Sequence, residues 1–129
     1  MQKYLGKYSD LLYGIMRIVV GLLFACHGAQ KLFGMFGGMG GEGARAEIAS
    51  LMGVAGIIEL VGGLLVMLGL FTSWAAFISS GEMAVGYFMS HAPGGFWPIQ
   101  NQGELAVLYC FVFLYIASRG SGKLGLGKG

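Results

Sequence analysis

The sequence predicts an all-α integral membrane protein, folded as an up-down-up-down bundle of four helices with both termini in the cytoplasm. Of its 129 residues, 56% are hydrophobic and only 11% are charged, a balance far more apolar than that of soluble domains. Its 25 glycines fall largely inside apolar runs, where small residues let helices approach closely in lipid. This composition argues against a water-soluble enzyme.

Four apolar segments approach the length that crosses a hydrocarbon core, about 20 residues. In a single domain of residues 1–129, they span about residues 11–33, 48–70, 74–89 and 104–117. The last two are short, so we expect them to be tilted or to end in the interface. The connection Phe71–Ser73 is brief enough to require an antiparallel hairpin, and Pro93 and Pro98 break the chain between the third and fourth spans.

Basic residues set the expected orientation, because cytoplasmic loops carry an excess of Lys and Arg. Lys3 and Lys7 precede the first span, and Arg119, Lys123 and Lys128 follow the fourth. Both termini are therefore predicted to be cytoplasmic, with the two longer loops outside. The formal charge of +2 is too small to indicate nucleic-acid binding.

Ionisable residues inside the spans carry the functional information, because each is costly in hydrocarbon and normally faces the bundle interior. They are Arg17, His27 and Lys31 in the first span, Glu59 in the second, Glu82 and His91 in the third, and Glu104 at the start of the fourth. From the helical rise, Arg17 and Glu82 lie roughly 9 and roughly 12 Å from the cytoplasmic ends of their helices, which matches them for a salt bridge.

The same estimate places Glu59 near the midplane and the remaining ionisable residues in the outer half of the bundle. The sequence therefore predicts a polar pocket that opens outward. The alternative is that Arg17, Glu59 and Glu82 form buried pairs that only fix the helix register.

The two histidines reach the same side of the membrane, where a haem or a metal is conceivable. No His-x-x-Glu or Cys-x-x-Cys motif supports such a site, so we expect no metal, do not favour haem, and assign His27 and His91 to proton exchange. Cys26 and Cys110 lie at similar depths, and a disulfide is conceivable, but small buried hydrophobes are the simpler interpretation.

The connection before the fourth span contains a possible helix start. Asn101 followed three residues later by Glu104 resembles a capping box. Glu104 is expected either to cap the helix alone or to cap it and still face the pocket. The segment from His91 to Gln102 is a natural lid over an outward cavity.

The order of these residues resembles the DoxX family of small bacterial membrane proteins. The resemblance covers most of the chain and rests on four segments: RIVVGLLFACHGAQKLFGMFGG, IIELVGGLLVMLGLFT, GEMAVGYFMSHAPGGFWP and NQGELAVLYCFVFLYIASRGSG. It implies a four-helix bundle in the bacterial inner membrane and a link to redox metabolism, since relatives are connected with quinone-dependent thiosulfate oxidation, terminal oxidases and oxidative stress. It also implies a site lined by Arg17, His27, Lys31, Glu59, Glu82, His91, Asn101 and Glu104.

Three function classes remain at this point. The first is a quinone-linked oxidoreductase subunit, with His27 and His91 as catalytic residues and the other six site residues binding a quinone or small phenolic. The second is a non-catalytic assembly or anchor subunit, suggested by glycine-rich helix surfaces such as Gly56 and Gly63. The third is a proton-coupled transporter that uses Glu59 or Glu82. Expected partners are membrane lipid, a redox protein or a second copy of the chain.

Overall fold

The computed structural model describes residues 1–39, 43–47, 50–127 and 129, and within these ranges the fold is all-helical apart from isolated β-bridges of Ala44 with Gly38 and Met39. This confirms the predicted all-α class. The four long helices are α1 (Ser9–Phe33), α2 (Leu51–Leu68), α3 (Thr72–Gly86) and α4 (Glu104–Arg119). Their positions overlap the four predicted spans. The predicted start of the second span, Ile48, and the basic residue Lys128 lie outside the described residues.

Shorter helical segments extend the bundle at its two ends. Gln2–Leu5 and a 3₁₀ turn at Gly6–Tyr8 precede α1. The π-helix Tyr87–His91 continues α3, and it is followed by a 3₁₀ turn at Ala92–Gly94 and a short helix at Pro98–Asn101.

The outside of the bundle is apolar. Each long helix turns large hydrophobic side chains outward, as at Val19, Val61, Phe77 and Leu108. Two helical segments, Gln2–Phe33 and Leu51–Leu68, are long and apolar enough to cross a membrane. The other two long helices have 15 and 16 residues, so they are shorter than a typical membrane span.

Glycines bring α1 and α2 into backbone contact. A Cβ added at Gly21 would lie 2.7 Å from the carbonyl oxygen of Gly63, and one added at Gly28 would lie 2.7 Å from that of Gly56. Gly21 and Gly28 are seven residues, or two helical turns, apart in α1, and so are Gly56 and Gly63 in α2. The residue numbers rise along one helix where they fall along the other. The two helices are therefore antiparallel and pack as closely as their backbones allow.

The remaining contacts close the bundle around an aromatic layer. Phe24 of α1 is buried against Tyr109 and Phe113 of α4, with ring centroids 5.2 and 4.6 Å apart. Between α3 and α4, the Ser80 hydroxyl donates to the Cys110 carbonyl at 2.7 Å. Thr72 at the start of α3 meets Ser121 just after α4, and Tyr87 just after α3 meets Asn101 just before α4, so these helices are antiparallel and the four follow in up-down-up-down order.

The segment after α4 folds back across one end of the bundle. Ser121 Oγ donates to the Gly69 carbonyl at 2.9 Å, and the Leu126 amide donates to the Leu68 carbonyl at 3.0 Å. These carbonyls belong to the C-terminal end of α2, where Gly69 adopts a left-handed φ of 75°. The segment thus supplies donors to carbonyls that α2 itself leaves without partners.

Arg17 is fully buried beneath this segment. Its guanidinium donates to the carbonyls of Val66 at 2.6 Å, Met67 at 3.0 Å and Lys123 at 3.3 Å. Two of these acceptors lie in the last turn of α2, at the negative end of the helix dipole. Arg17 therefore fastens α1, α2 and the C-terminal segment together.

The expected salt bridge between Arg17 and Glu82 is wrong. Arg17 is level with Val66 on α2, whereas the Gly62–Ser79 contact places Glu82 level with Glu59, seven residues or roughly 10 Å nearer the start of that helix. The depth estimate failed because it was counted from assumed helix ends and did not include the register between helices.

Candidate functional site

A buried ion pair lies at the centre of the half of the bundle that carries the two long loops. Lys31 Nζ of α1 lies 2.5 Å from Glu59 Oε1 of α2, and the two side chains are 17% and 2% exposed. Helical side chains point toward the N-terminus of their helix, so the long Lys31 side chain reaches inward to the level of Glu59. This reach explains how a lysine expected in the outer half meets a glutamate expected near the midplane.

A second carboxyl group joins this pair from α3. Gly62 of α2 packs on Ser79 of α3, where an added Cβ would lie 2.6 Å from the Ser79 hydroxyl. About one turn nearer the start of α2, the same antiparallel register places Glu82 level with Glu59, and both residues line the same cavity. Glu82 Oε1 is buried and has no hydrogen-bond donor among the residues that the structure describes.

The larger of two cavities beside this cluster opens between α2 and α3 and has a volume of about 450 Å³. Its polar lining residues are Lys31, Glu59, Glu82, Ser90 and His91, and its apolar wall includes Val54, Ile58, Ile78 and Val85. The charged residues Lys31, Glu59 and Glu82 form one cluster in a lining that is mostly apolar. The cavity can therefore hold a mostly apolar ligand that carries a polar group.

A smaller cavity of about 220 Å³ lies on the other side of the ion pair. It is lined by His27, Gln102 and Tyr109, and it shares Lys31, Glu59 and His91 with the larger cavity. The His27 ring meets the Tyr109 ring edge-on, with centroids 6.0 Å apart. The Lys31–Glu59 pair and His91 thus form the wall between an apolar cavity and a more polar one.

His91 is held in this wall by the connection that precedes α4. Its Nδ1 lies 3.1 Å from the Asn101 carbonyl, and its ring stacks on Tyr87 with centroids 6.2 Å apart. The Asn101 amide donates to the Tyr87 hydroxyl and to the Gly95 carbonyl, both at 3.0 Å. Asn101 therefore positions His91 and its neighbouring loop and does not itself line either cavity.

The expected capping box at the start of α4 is wrong. The N-cap is Gly103, and no side chain caps the helix. Asn101 ends the preceding short helix, and its Oδ1 accepts a hydrogen bond from the Gly103 amide at 2.9 Å. Glu104 is exposed in the first turn of α4, where its charge suits the helix dipole.

The structure thus divides the predicted site residues into two groups. Lys31, Glu59, Glu82 and His91 meet at the larger cavity, and His27 joins them at the smaller one. Arg17, Asn101 and Glu104 line neither cavity. Sequence reasoning missed Tyr109, whose polar hydroxyl in the middle of an apolar span was the available signal.

Cys26 and Cys110 are free thiols in this structure. Across residues 1–39, 43–47, 50–127 and 129, His, Cys, Asp and Glu form no group of three or more that is placed to hold a metal ion.

Comparison with known proteins supports the resemblance drawn from the sequence. The family model described as DoxX matches residues 12–92, a segment that contains the whole Lys31, Glu59, Glu82 and His91 group. A protein of Haemophilus influenzae, described as uncharacterized, is 45% identical over 125 residues, which cover 95% of this chain and 92% of that protein. No solved structure matches the chain.

Proposed function

The chain belongs to the DoxX family of membrane proteins, and from this premise we propose that it binds a quinone or a small phenolic compound in the larger cavity, as a subunit of redox metabolism. The observation that carries the proposal is the cavity of about 450 Å³, which has a cluster of charged groups in a mostly apolar lining. Small-molecule sites commonly have volumes of about 300 to 1,000 Å³ and this mixture of linings.

The chemistry of a quinone fits the lining. Its carbonyl oxygens accept hydrogen bonds, and the Lys31 ammonium is a donor in the cavity lining. Its ring and apolar tail need a hydrophobic surface, which Val54, Ile58 and Ile78 provide. The cavity lies between two helices whose outer faces are apolar, so a membrane-soluble ligand can enter from lipid without passing through water.

Proton exchange is assigned to His91, with His27 behind it across the smaller cavity. Reduction of a quinone to a quinol consumes two electrons and two protons. In this proposal a partner redox protein supplies the electrons, and the histidines pass protons to and from the ring oxygens. Lys31, Glu59 and Glu82 bind the ligand and set the local field, whereas Arg17, Asn101 and Glu104 have structural roles.

We further propose that the chain is a multi-pass protein of the bacterial inner membrane with cytoplasmic termini. The flanking basic residues support this orientation, which would place the two longer loops and the cavity end outside. Membrane lipid is then the surrounding medium, and a second copy of the chain is a further partner to be tested.

The test is to measure quinone retained by purified protein in lipid nanodiscs, using mass spectrometry of the extracted lipids and empty nanodiscs as background. Lys31→Met should reduce retention about tenfold or more, because a hydrogen bond to a charged group contributes roughly 1.5 to 3 kcal/mol. His91→Gln should also reduce it. Asp10→Asn changes a carboxyl group at the opposite end of the bundle and should retain as much as wild type. Retention at the level of empty nanodiscs would refute the proposal.

One observation favours proton-coupled transport as a second candidate, namely the buried Glu82 oxygen that lacks a donor within the described residues. Carboxyl groups inside membrane bundles often carry the coupling proton. Proton-driven uptake into liposomes that stops with Glu82→Gln would support it. Gly56 and Gly63 pack against α1 of the same chain. These glycines therefore no longer argue for an assembly subunit that binds another protein through them.

A further inference from the structure

The cluster around Glu59 contains two carboxyl groups but only one ammonium group. Lys31 forms its ion pair with Glu59, and Glu82 is level with Glu59 on the facing helix and lines the larger cavity with it. If both carboxyl groups were ionised, these three residues would carry a net negative charge in a largely apolar interior. An uncompensated buried charge of this kind is strongly unfavourable.

The other groups facing the cluster do not supply the missing positive charge. From α1, His27 meets the Tyr109 ring edge-on and forms no ion pair with Glu59 or Glu82. From the π-helix, His91 has its Nδ1 against the Asn101 carbonyl and likewise forms no ion pair with either carboxyl group. From α4, Tyr109 is buried and neutral as a phenol. The charge must be balanced within the cluster.

The two carboxyl groups also have a hydrogen-bonding problem. Glu82 Oε1 is buried with no donor among the described residues, and the polar residue level with Glu82 on α2 is Glu59, another carboxyl group. Two ionised carboxylates can only repel each other, whereas a carboxylic acid donates its O–H to a carboxylate. One added proton therefore removes the net negative charge and supplies the missing hydrogen-bond donor.

We propose that Glu59 and Glu82 bind one exchangeable proton between them, so that Lys31, Glu59 and Glu82 together form a neutral proton-binding site on the wall of the larger cavity. A neutral ligand with carbonyl or hydroxyl groups then enters without changing the charge of the site. An organic cation enters only if the proton leaves, so binding of one cation releases one proton. The site holds its proton without any ligand, and it therefore stands even if the quinone proposal fails.

The experiment is infrared spectroscopy of the ligand-free protein in nanodiscs at neutral pH, with ¹³C-labelled glutamate to assign the bands. Wild type should show a carboxylic acid C=O band that shifts on labelling and on exchange into D₂O. Glu82→Gln and Glu59→Gln should each abolish the band, because the remaining carboxylate pairs with Lys31. Lys31→Met should about double it, because both carboxyl groups must then be protonated. Asp10→Asn should leave it unchanged.

The pattern across these variants separates the proposal from its alternatives. Absence of the band from labelled wild-type protein overturns the proposal, and this result needs no variant to fold. A band that survives Glu82→Gln, or that does not change with Lys31→Met in folded protein, also overturns it. Lys31→Arg keeps the positive charge and should show the wild-type band intensity.

Discussion

The backbone contact between α1 and α2 gives a sharp prediction for Gly28→Ala. The added methyl group would lie 2.7 Å from the Gly56 carbonyl oxygen and would also meet backbone atoms of Leu60. Because backbone atoms cannot rotate out of the way, the helices must separate by several tenths of an ångström. Overpacking of this kind lowers the free energy of unfolding by about 1 to 3 kcal/mol. Gly21 makes the same kind of backbone contact two turns away, so the helices must also move apart there.

Gly81→Ala is the matched control for this substitution. Gly81 lies inside α3, and an added Cβ there meets nothing within 4 Å among the described residues. Both substitutions gain the same helix propensity, about 0.5 to 1 kcal/mol, so the difference between them isolates the steric effect. Gly81→Ala should therefore be neutral or stabilising.

Reversible unfolding in mixed detergent micelles, followed by tryptophan fluorescence, measures both variants. We expect Gly28→Ala to be less stable than Gly81→Ala by about 1 to 3 kcal/mol. Equal stability of the two variants would refute the backbone contact, and with it the antiparallel register that places Glu59 opposite Lys31.

Two further predictions concern residues that the structure moves out of the cavity. Arg17→Lys should lower the free energy of unfolding by about 1 to 3 kcal/mol, because a lysine ammonium cannot reproduce the guanidinium geometry across three carbonyls. The comparison variant is Glu82→Gln. If it lost as much stability as Arg17→Lys, the result would favour a salt bridge between Arg17 and Glu82 over the contacts in the structure. Asn101→Ala should free the preceding loop, seen as faster amide hydrogen exchange around Gly95 and Gly103, while the amides of α1 keep their protection. Unchanged exchange would show that Asn101 does not hold the loop.

Hydropathy predicted where the helices lie, because the penalty for exposing polar groups to lipid acts on each segment separately. The same penalty identified Lys31, Glu59 and Glu82 as inward-facing residues. Which acid meets which base was not predictable, since it depends on the register between helices and on the reach of each side chain. An error of two turns was enough to assign Arg17 to Glu82.

The fold of the C-terminal segment gave no signal in the sequence. Residues 120–127 contain four glycines and show no helical periodicity, so the sequence pattern predicts no structure for them. Its place depends on the free carbonyls at the end of α2 and on Arg17, and both lie far away in the chain. The hydrogen bonds that Asn101 donates were not predictable for the same reason, because the fold brings their acceptors on Tyr87 and Gly95 close to it.

The position of this segment has a consequence for the order in which the protein is assembled. Arg17 is synthesised early, yet one of its hydrogen-bond acceptors, the Lys123 carbonyl, emerges from the ribosome more than a hundred residues later. Until then the guanidinium in α1 has an incomplete set of partners while the other helices insert. The segment after α4 therefore completes the hydrogen bonds of Arg17 only late in synthesis. A fusion partner is better attached before α1, where it leaves this segment free to pack.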